Sequence, residues 1–335
     1  MAGLQANQHF LLPALAPILY DVGQIFGALV LAPTEPLKFG PVRLPAFGFG
    51  VDGLVYGVII GALLHLLIQV PGLIKYQFRW HPRVDFKESY TRKVLRLMGP
   101  RVVSMLFIQL IFLAQDNLGS RLSEGSVSAL TYGWWIMQVP QTLIGTSIAT
   151  AILPTLSEMF SNQQFELLKE RIERAARVMI TLTVPVAIVA GMVLLPVVRL
   201  FLGLDEAGTL RVANTSQIFL LGIVGHSLVE LFVRSFYALQ KPRVPLIGSA
   251  FTLVVFILLG IVLSPMLEAV GIAAANTIAY TLQTLLLLIL LRKTLPEPLR
   301  LGKTTLKSLL AAALGGAAAY AVVNWAPKLA GSLIG

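Results

Sequence analysis

The chain has 335 residues, of which 56% are hydrophobic and only 13% are charged. Soluble domains carry about 25% charged residues, so this composition excludes a soluble globular protein and indicates a membrane protein. Cysteine is absent, which excludes disulfides and thiol chemistry, and the net charge of +10 is explained by basic cytoplasmic loops rather than by nucleic-acid binding.

About nine apolar segments are long enough to cross a hydrocarbon core of roughly 30 Å as helices. We therefore predict an all-α fold, a polytopic transmembrane helical bundle. The predicted spans, in chain order, are Phe10–Leu31, Gly53–Ile74, Met98–Leu118, Ser126–Leu156, Val178–Leu202, Leu210–Leu239, Pro245–Leu263, Ala269–Leu291 and Leu306–Val323.

The fourth predicted span is too long for a straight crossing. A helix over Ser126–Leu156 would be about 46 Å long, so it must tilt, kink or project from the membrane. Pro140 favours a kink, because proline removes a backbone donor and clashes with the preceding turn. Pro140, Gly145 and Pro154 are the candidate hinge residues in this span.

Basic residues between the predicted spans are unevenly distributed. The even-numbered loops carry eighteen Lys and Arg residues, and the odd-numbered loops with the C-terminal tail carry six. Cytoplasmic loops collect positive charge. We therefore predict a cytoplasmic N-terminus and a C-terminus outside the cytoplasmic membrane.

The fourth loop contains a charged amphipathic segment near residues 163–177. Its apolar residues, Phe165, Leu168, Ile172, Ala175 and Ala176, share one helical face, and charged residues cover the other. This pattern is typical of an interfacial helix that leads into the fifth span.

Charged side chains inside apolar segments are candidate functional residues, because a charge at membrane depth costs at least about 2.5 kcal/mol. His226, Glu230 and Arg234 recur every four residues and share one helix face. An internal Glu230–Arg234 salt bridge and a cavity-lining role both remain open for this group, and a metal site would need a third ligand. The other candidates are Asp21, His65, Arg101 and Asp116.

The sequence contains none of the motifs that indicate an enzyme: no nucleophile elbow, phosphate-binding loop, HExxH motif or paired carboxylates in a loop. Prolines and glycines inside the spans instead favour a transporter, since broken helices mark moving or site-forming segments. We expect no catalytic residue, no metal and no cofactor, with coupling to a monovalent cation or a proton left open.

Four stretches resemble the MurJ/MviN lipid II flippases of the multidrug/oligosaccharidyl-lipid/polysaccharide exporter superfamily. They are MGPRVV (Met98–Val103), the long run from Ser120 to Glu158, RSFYALQKPRVP (Arg234–Pro245) and NQHFLLPALAPILYDVG (Asn7–Gly23). The resemblance implies part of a two-lobe fold of fourteen helices. This chain would correspond to helices five to thirteen, without the first four.

The resemblance also implies a division of the chain. Residues 1–76 would be the remnant of the first lobe, 77–97 a basic cytoplasmic loop, 98–323 the second lobe and 324–335 a short tail. Among the candidate cavity residues, Trp135 departs from the family pattern: where many members have an arginine in a segment like YADRL, this chain has YGWWI. Asp116 lies near the aspartate with which some members bind sodium.

From the resemblance we expect a flippase that moves a lipid-linked cell-wall precursor, carrying a diphosphate and a sugar, through the bilayer by alternating access. The expected role is in peptidoglycan biosynthesis and cell shape. The candidate cavity residues are Arg101, Glu230, Arg234, His226 and Trp135, and Asp116 is the candidate ion-binding residue. The alternatives are a truncated, non-transporting fragment or scaffold and an exporter of another amphiphile or polysaccharide lipid.

Overall fold

The structure is a computed structural model that describes residues 4, 11–39, 42–76, 89–296, 299, 301–302, 307–308, 310–311 and 313–316. The chain divides into two compact units, unit 1 (Met1–Asp85) and unit 2 (Phe86–Gly335). Most of the ninth predicted span, Leu306–Val323, lies outside the described residues, as does the tail 324–335.

Unit 1 is built on two closely packed helices. Helix α1 spans Leu11–Phe26 and continues as a π-helical turn, Gly27–Leu31, and helix α2 spans Val51–Leu67. A Cβ atom added to Gly57 would lie 2.6 Å from the Gly27 Cα atom. The buried residues of α2 are all glycines, while its aliphatic side chains point outward. This is the arrangement expected where lipid, rather than water, surrounds the helices.

The loop between α1 and α2 contains a short β-hairpin, β1 (Lys38–Phe39) paired antiparallel with β2 (Val42–Arg43). After α2, the chain turns into a six-residue helix α3, Val70–Lys75, where the buried Gln69 side chain donates to the His65 carbonyl at 2.8 Å.

Unit 2 contains the remaining described helices. Their bounds are α4 Ser89–Gly119, α5 Ser126–Gln141, α6 Ser147–Ser161, α7 Phe165–Leu202, α8 Glu206–Leu221, α9 Ile223–Ala238 and α10 Arg243–Arg292. Helix α4 begins nine residues before Met98. Residues 89–97, which we assigned to the basic loop, are therefore helical.

A π-helical turn, Thr142–Thr146, joins α5 to α6 directly after Pro140. Pro140 cannot donate a backbone hydrogen bond, and a one-residue widening of the helix accommodates this loss. A Cβ atom on Gly145 would lie 2.9 Å from the Ser227 Cβ atom, so this turn packs tightly against α9. Pro154 lies in α6 and is exposed.

Helices α8 and α9 are bent by 43° around Gly222. The bend leaves the Ile218 carbonyl without its usual helical partner, and the Thr277 hydroxyl of α10 donates to it at 2.9 Å. The Thr284 hydroxyl likewise donates to the Gly225 carbonyl at 2.8 Å. Side chains of a neighbouring helix thus satisfy backbone groups that lipid cannot.

Helix α10 is too long to cross the membrane once, at about 75 Å for its fifty residues. Its backbone leaves helical geometry at Glu268, and the two arms fold back on each other. A Cβ atom on Gly248 would lie 3.3 Å from the Gln283 side chain, and one on Gly271 would meet the Leu263 backbone. The two arms correspond to the seventh and eighth predicted spans.

The predicted fold class is confirmed, but the helix count differs in detail. Six described helices are long and apolar enough to cross a membrane, or seven with the bent α8–α9 pair, and α10 combines two predicted spans. The protein is therefore a multi-pass membrane protein. Helix α7 runs without a break through the amphipathic segment near 163–177 into the fifth predicted span, with Leu168, Ile172 and Ala176 buried.

Two apolar cores stabilise unit 2. One lies where α7 packs against α9 and the second arm of α10, around Met179, Phe232 and Leu287. The other lies where α5, α8 and α10 meet, around Leu130, Phe219 and Phe256. Between these cores, α4, α5, α9 and α10 leave a cavity.

Candidate functional site

The cavity of unit 2 has a volume of about 480 Å³ and is lined by α4, α5 with its π-helical turn, α6, α9 and both arms of α10. Its lining combines apolar side chains such as Ile111 and Phe112 with a polar set. The polar and aromatic lining residues are Arg101, Ser104, Trp134, Gln138, Gln141, Thr142, Thr146, His226, Glu230, Arg234, Tyr237, Ser249, Thr252, Tyr280 and Gln283.

The charged residues of the cavity lie around Tyr237. Arg234 forms an ion pair with Glu230 on α9, and their side chains are 21% and 38% exposed. The Arg101 guanidinium, on α4, lies over the Tyr237 ring with 5.7 Å between its Cζ atom and the ring centroid. Such a cation–π contact positions the guanidinium without neutralising its charge. This end of the cavity is therefore cationic.

His226 lies within an aromatic cluster in the same cavity. It is buried, and its Nε2 atom is 3.1 Å from the Asn276 Oδ1 atom. Its ring stacks on Tyr280 with centroids 3.9 Å apart, and the Trp134 ring stands edge-on to it at 5.4 Å. These contacts fix the ring between three helices and give His226 a packing role in addition to its place in the cavity wall.

Two polar residues of α10 face the cavity but bond within their own helix. The Ser249 hydroxyl donates to the Pro245 carbonyl at 3.0 Å, and the Thr252 hydroxyl donates to the Gly248 carbonyl at 2.9 Å. Serine and threonine at membrane depth commonly satisfy their hydroxyls in this way. Because each hydroxyl donates its hydrogen in this bond, only its oxygen lone pairs stay available, as acceptors for a ligand.

Trp135 does not line this cavity. It is 57% exposed and contacts Tyr132, with ring centroids 6.0 Å apart. Trp134 takes the cavity position instead, because successive residues of a helix point about 100° apart. Trp135 therefore lies outside the cavity of unit 2, and its assignment as a candidate substrate-binding residue stays a prediction.

Asp116 is exposed near the end of α4 and is not among the residues that line the cavity. The structure thus separates it from Arg101, Glu230, Arg234 and His226, which it brings together. In unit 1, Asp21 is exposed, and the His65 ring stands edge-on to Tyr20 at 6.4 Å. Within the described part of the chain, no three His, Asp or Glu residues are clustered to hold a metal.

Sequence reasoning missed the polar face of the second arm of α10. Asn276, Tyr280 and Gln283 recur at helical spacing among apolar residues. Asn276 and Gln283 are buried, and Tyr280 is half-buried against His226 in the cavity wall. That periodicity was the available signal. The contact of Arg101 with Tyr237 joins positions on distant helices, which no local pattern reveals.

Comparison with known proteins gives one consistent family. A family model described as "Lipid II flippase MurJ" matches residues 1–332. The lipid II flippase MurJ of Burkholderia cenocepacia is 28% identical, over 87% of this chain and 55% of that protein. The probable lipid II flippase MurJ of Thermotoga maritima is 30% identical, over 82% of this chain and 52% of that protein. The chain spans about half the length of these curated relatives.

Solved structures agree on the fold. A lipid II flippase MurJ in an inward closed conformation superposes with a TM-score of 0.65 at 19% identity, over 97% of this chain and 69% of that one. A mutant of the Vibrio cholerae MATE transporter VcmN gives a TM-score of 0.63 at 16% identity, over 87% of this chain and 64% of that one. With its fold and nearly its whole length matched, the chain belongs to the lipid II flippase MurJ family.

Proposed function

We propose that this chain serves a flippase that moves a lipid-linked cell-wall precursor, similar to lipid II, across the cytoplasmic membrane by alternating access. Family membership supports the proposal. The observation that carries it is the cavity of unit 2, which joins a cationic end at Arg101 and Arg234 to an apolar interior at Phe112 and Trp134. An amphiphile with an anionic headgroup requires both a cationic region and an apolar region in its binding site.

The charged end suits a phosphate-bearing headgroup. Guanidinium groups bind phosphate oxygens through paired hydrogen bonds, and these bonds strengthen where water is excluded. The Gln138, Gln141 and Gln283 amides add donors and acceptors for a polar group that follows the phosphate. The lipid tail would remain in the bilayer while the headgroup crosses.

The direction of entry follows from the proposed orientation. Arg101 lies near the start of the apolar part of α4, Met98–Gly119, and Arg234 lies near the end of α9, so both adjoin segments of the basic set. If the basic loops are cytoplasmic, the cationic end of the cavity opens toward the cytoplasm. A headgroup would then enter from that side and leave at the other.

The proposed transport needs an energy source but no chemical step, so the protein would act without a cofactor. A gradient of a monovalent cation or of protons is the proposed driving force, with Asp116 as the ion-binding candidate. Asp116→Asn should lower uphill transport while leaving lipid binding intact. Equal rates with and without the gradient would contradict coupling.

Translocation by the full chain in proteoliposomes tests the proposed function. A fluorescent polyprenyl-diphosphate sugar should move between leaflets with the wild-type chain, and Arg101→Ala/Arg234→Ala should reduce the rate by about tenfold or more, since each charged hydrogen bond contributes roughly 1.5–3 kcal/mol. Arg171→Ala, on the charged face of α7 outside the cavity, is the matched control.

Three outcomes would contradict the assignment. Unchanged translocation in the double variant would exclude the cavity as the headgroup path. No translocation by the wild-type chain, with intact binding, would favour a non-transporting scaffold. Faster movement of an amphiphile without phosphate would favour the other candidate, an exporter of a different lipid-linked compound.

A further inference from the structure

The two cavity arginines are in different electrostatic states. Arg234 is paired with Glu230 four residues earlier on α9, in the order that favours a helical ion pair. Arg101 forms no ion pair within the described part of the chain, and its guanidinium contacts the face of Tyr237. One positive charge is therefore compensated and the other is available.

Arg101, Glu230 and Arg234 are the only charged side chains among the described residues that line the cavity. Together they carry one net positive charge. Tyr237 lies three residues after Arg234 and seven after Glu230, so it shares their helix face and holds Arg101 next to the pair. A ligand bound at Arg101 could therefore also contact the Arg234 guanidinium, but only if the ion pair between Arg234 and Glu230 opens.

We propose that Arg101 is the residue that contacts the ligand anion, and that Glu230 is a selectivity residue that keeps Arg234 compensated. The inference rests on the proposed function in one respect, that the ligand carries phosphate. A single phosphate group can bind at Arg101 without disturbing the ion pair. A diphosphate reaches Arg234 only by competing with the Glu230 carboxylate.

Glu230 therefore lowers affinity for anionic headgroups in general and lowers it most for the more highly charged ones. A lowered affinity suits a protein that must release its ligand, because two unpaired arginines would retain a diphosphate in the cavity. If Glu230 instead served only to stabilise α9, its removal would weaken the helix and would not tighten ligand binding. The two roles therefore predict different results for the ligand affinity of a Glu230 variant.

The experiment is a double-mutant cycle on binding, with the full chain in nanodiscs and two probes, a polyprenyl monophosphate and a polyprenyl diphosphate. Arg101→Ala should weaken binding of both probes by about tenfold or more. Glu230→Gln should tighten binding of the diphosphate by about threefold to tenfold and that of the monophosphate less. Arg234→Ala should lower the affinity for the diphosphate more in the Glu230→Gln background than in the wild type.

A matched control is available in α7, where Glu173 and Arg177 form an ion pair with the same spacing outside the cavity. Glu173→Gln should leave the affinity for both probes unchanged. Thermal unfolding of Glu230→Gln, measured in parallel, reports any loss of stability separately from binding.

Weaker diphosphate binding in Glu230→Gln, or an equal effect of Arg234→Ala in both backgrounds, would overturn the inference. Absence of binding to either probe would overturn it together with the proposed function. Binding that follows the predicted cycle without any translocation would leave the inference standing and contradict the proposed function alone.

Discussion

Glu268 has a backbone conformation that suits glycine better than glutamate. Its φ is 51° and its ψ is −134°, a region that is costly for residues with a side chain. The break in α10 occurs here, where the chain reverses between the two arms. The Glu268 carboxylate accepts a hydrogen bond from the Ser123 hydroxyl at 2.8 Å, which ties this turn to the loop between α4 and α5.

We predict that Glu268→Gly stabilises the protein. The relief of backbone strain, about 1–3 kcal/mol, should exceed the loss of an exposed hydrogen bond, about 0.5–1.5 kcal/mol. Glu268→Ala loses the same bond but retains the strain, so it should be slightly destabilising. Thermal unfolding in detergent measures the stability of both variants. Equal unfolding temperatures for the two would contradict the claim that the backbone is strained at Glu268.

Single residues show where sequence reasoning succeeds and where it fails. The Glu230–Arg234 pair was predictable, because four-residue spacing on one helix fixes the two side chains as neighbours. The rotation of α5 that turns Trp134 rather than Trp135 toward the cavity of unit 2 was not predictable, since it depends on packing between helices. The contacts of His226 with Asn276 and Tyr280 join residues fifty or more positions apart in sequence and became visible only in the fold.

At the scale of elements, glycines determine how α1 and α2 pack. Gly23 of α1 and Gly27 of the π-helical turn that follows it face Gly61 and Gly57 of α2, and every added Cβ atom would lie within 2.6 Å of a backbone atom of the opposite segment. Aliphatic side chains gain little by packing together when lipid is the alternative, so close backbone approach drives such pairs.

Gly57→Ala should therefore separate the two helices of unit 1. The new Cβ atom would meet the Gly27 Cα atom at 2.6 Å, and we expect a destabilisation of about 1–3 kcal/mol. Gly191→Ala, inside α7, is the matched control because no atom lies within 4 Å of its added Cβ atom. That change should be neutral or stabilising. Equal unfolding temperatures for the two variants would argue against the close pairing.

Helix positions were largely predictable from apolar run length, and helix breaks only in part. Pro140 predicted an irregularity that the structure contains as a π-helical turn. The bend at Gly222 carries no comparable signal, whereas the reversal at Glu268 falls in the gap between the seventh and eighth predicted spans. The contact that stabilises the Gly222 bend, Thr277 with Ile218, comes from another helix. Whether Pro140, Gly145 and Pro154 act as hinges stays a prediction.

For the whole molecule, the uneven distribution of basic residues leads to a prediction about orientation. The chain has no cysteine, so a single introduced cysteine reports its side of the membrane directly. Lys241→Cys, between α9 and α10, should react only when an impermeant maleimide reaches the cytoplasmic side. Ser120→Cys, between α4 and α5, should react from outside in intact cells. The reverse pattern of labelling would contradict the proposed orientation in the membrane.

The central claim is that the cavity of unit 2 receives the phosphate end of a lipid-linked substrate. Photo-cross-linking tests it most directly, with benzoylphenylalanine placed on α4 at Met105, which lines the cavity, or at Leu113, which is exposed outside it. A radiolabelled polyprenyl diphosphate should cross-link at Met105, and excess unlabelled diphosphate lipid or Arg101→Ala should abolish this signal. Equal cross-linking at Met105 and Leu113, unaffected by competitor, would contradict the claim.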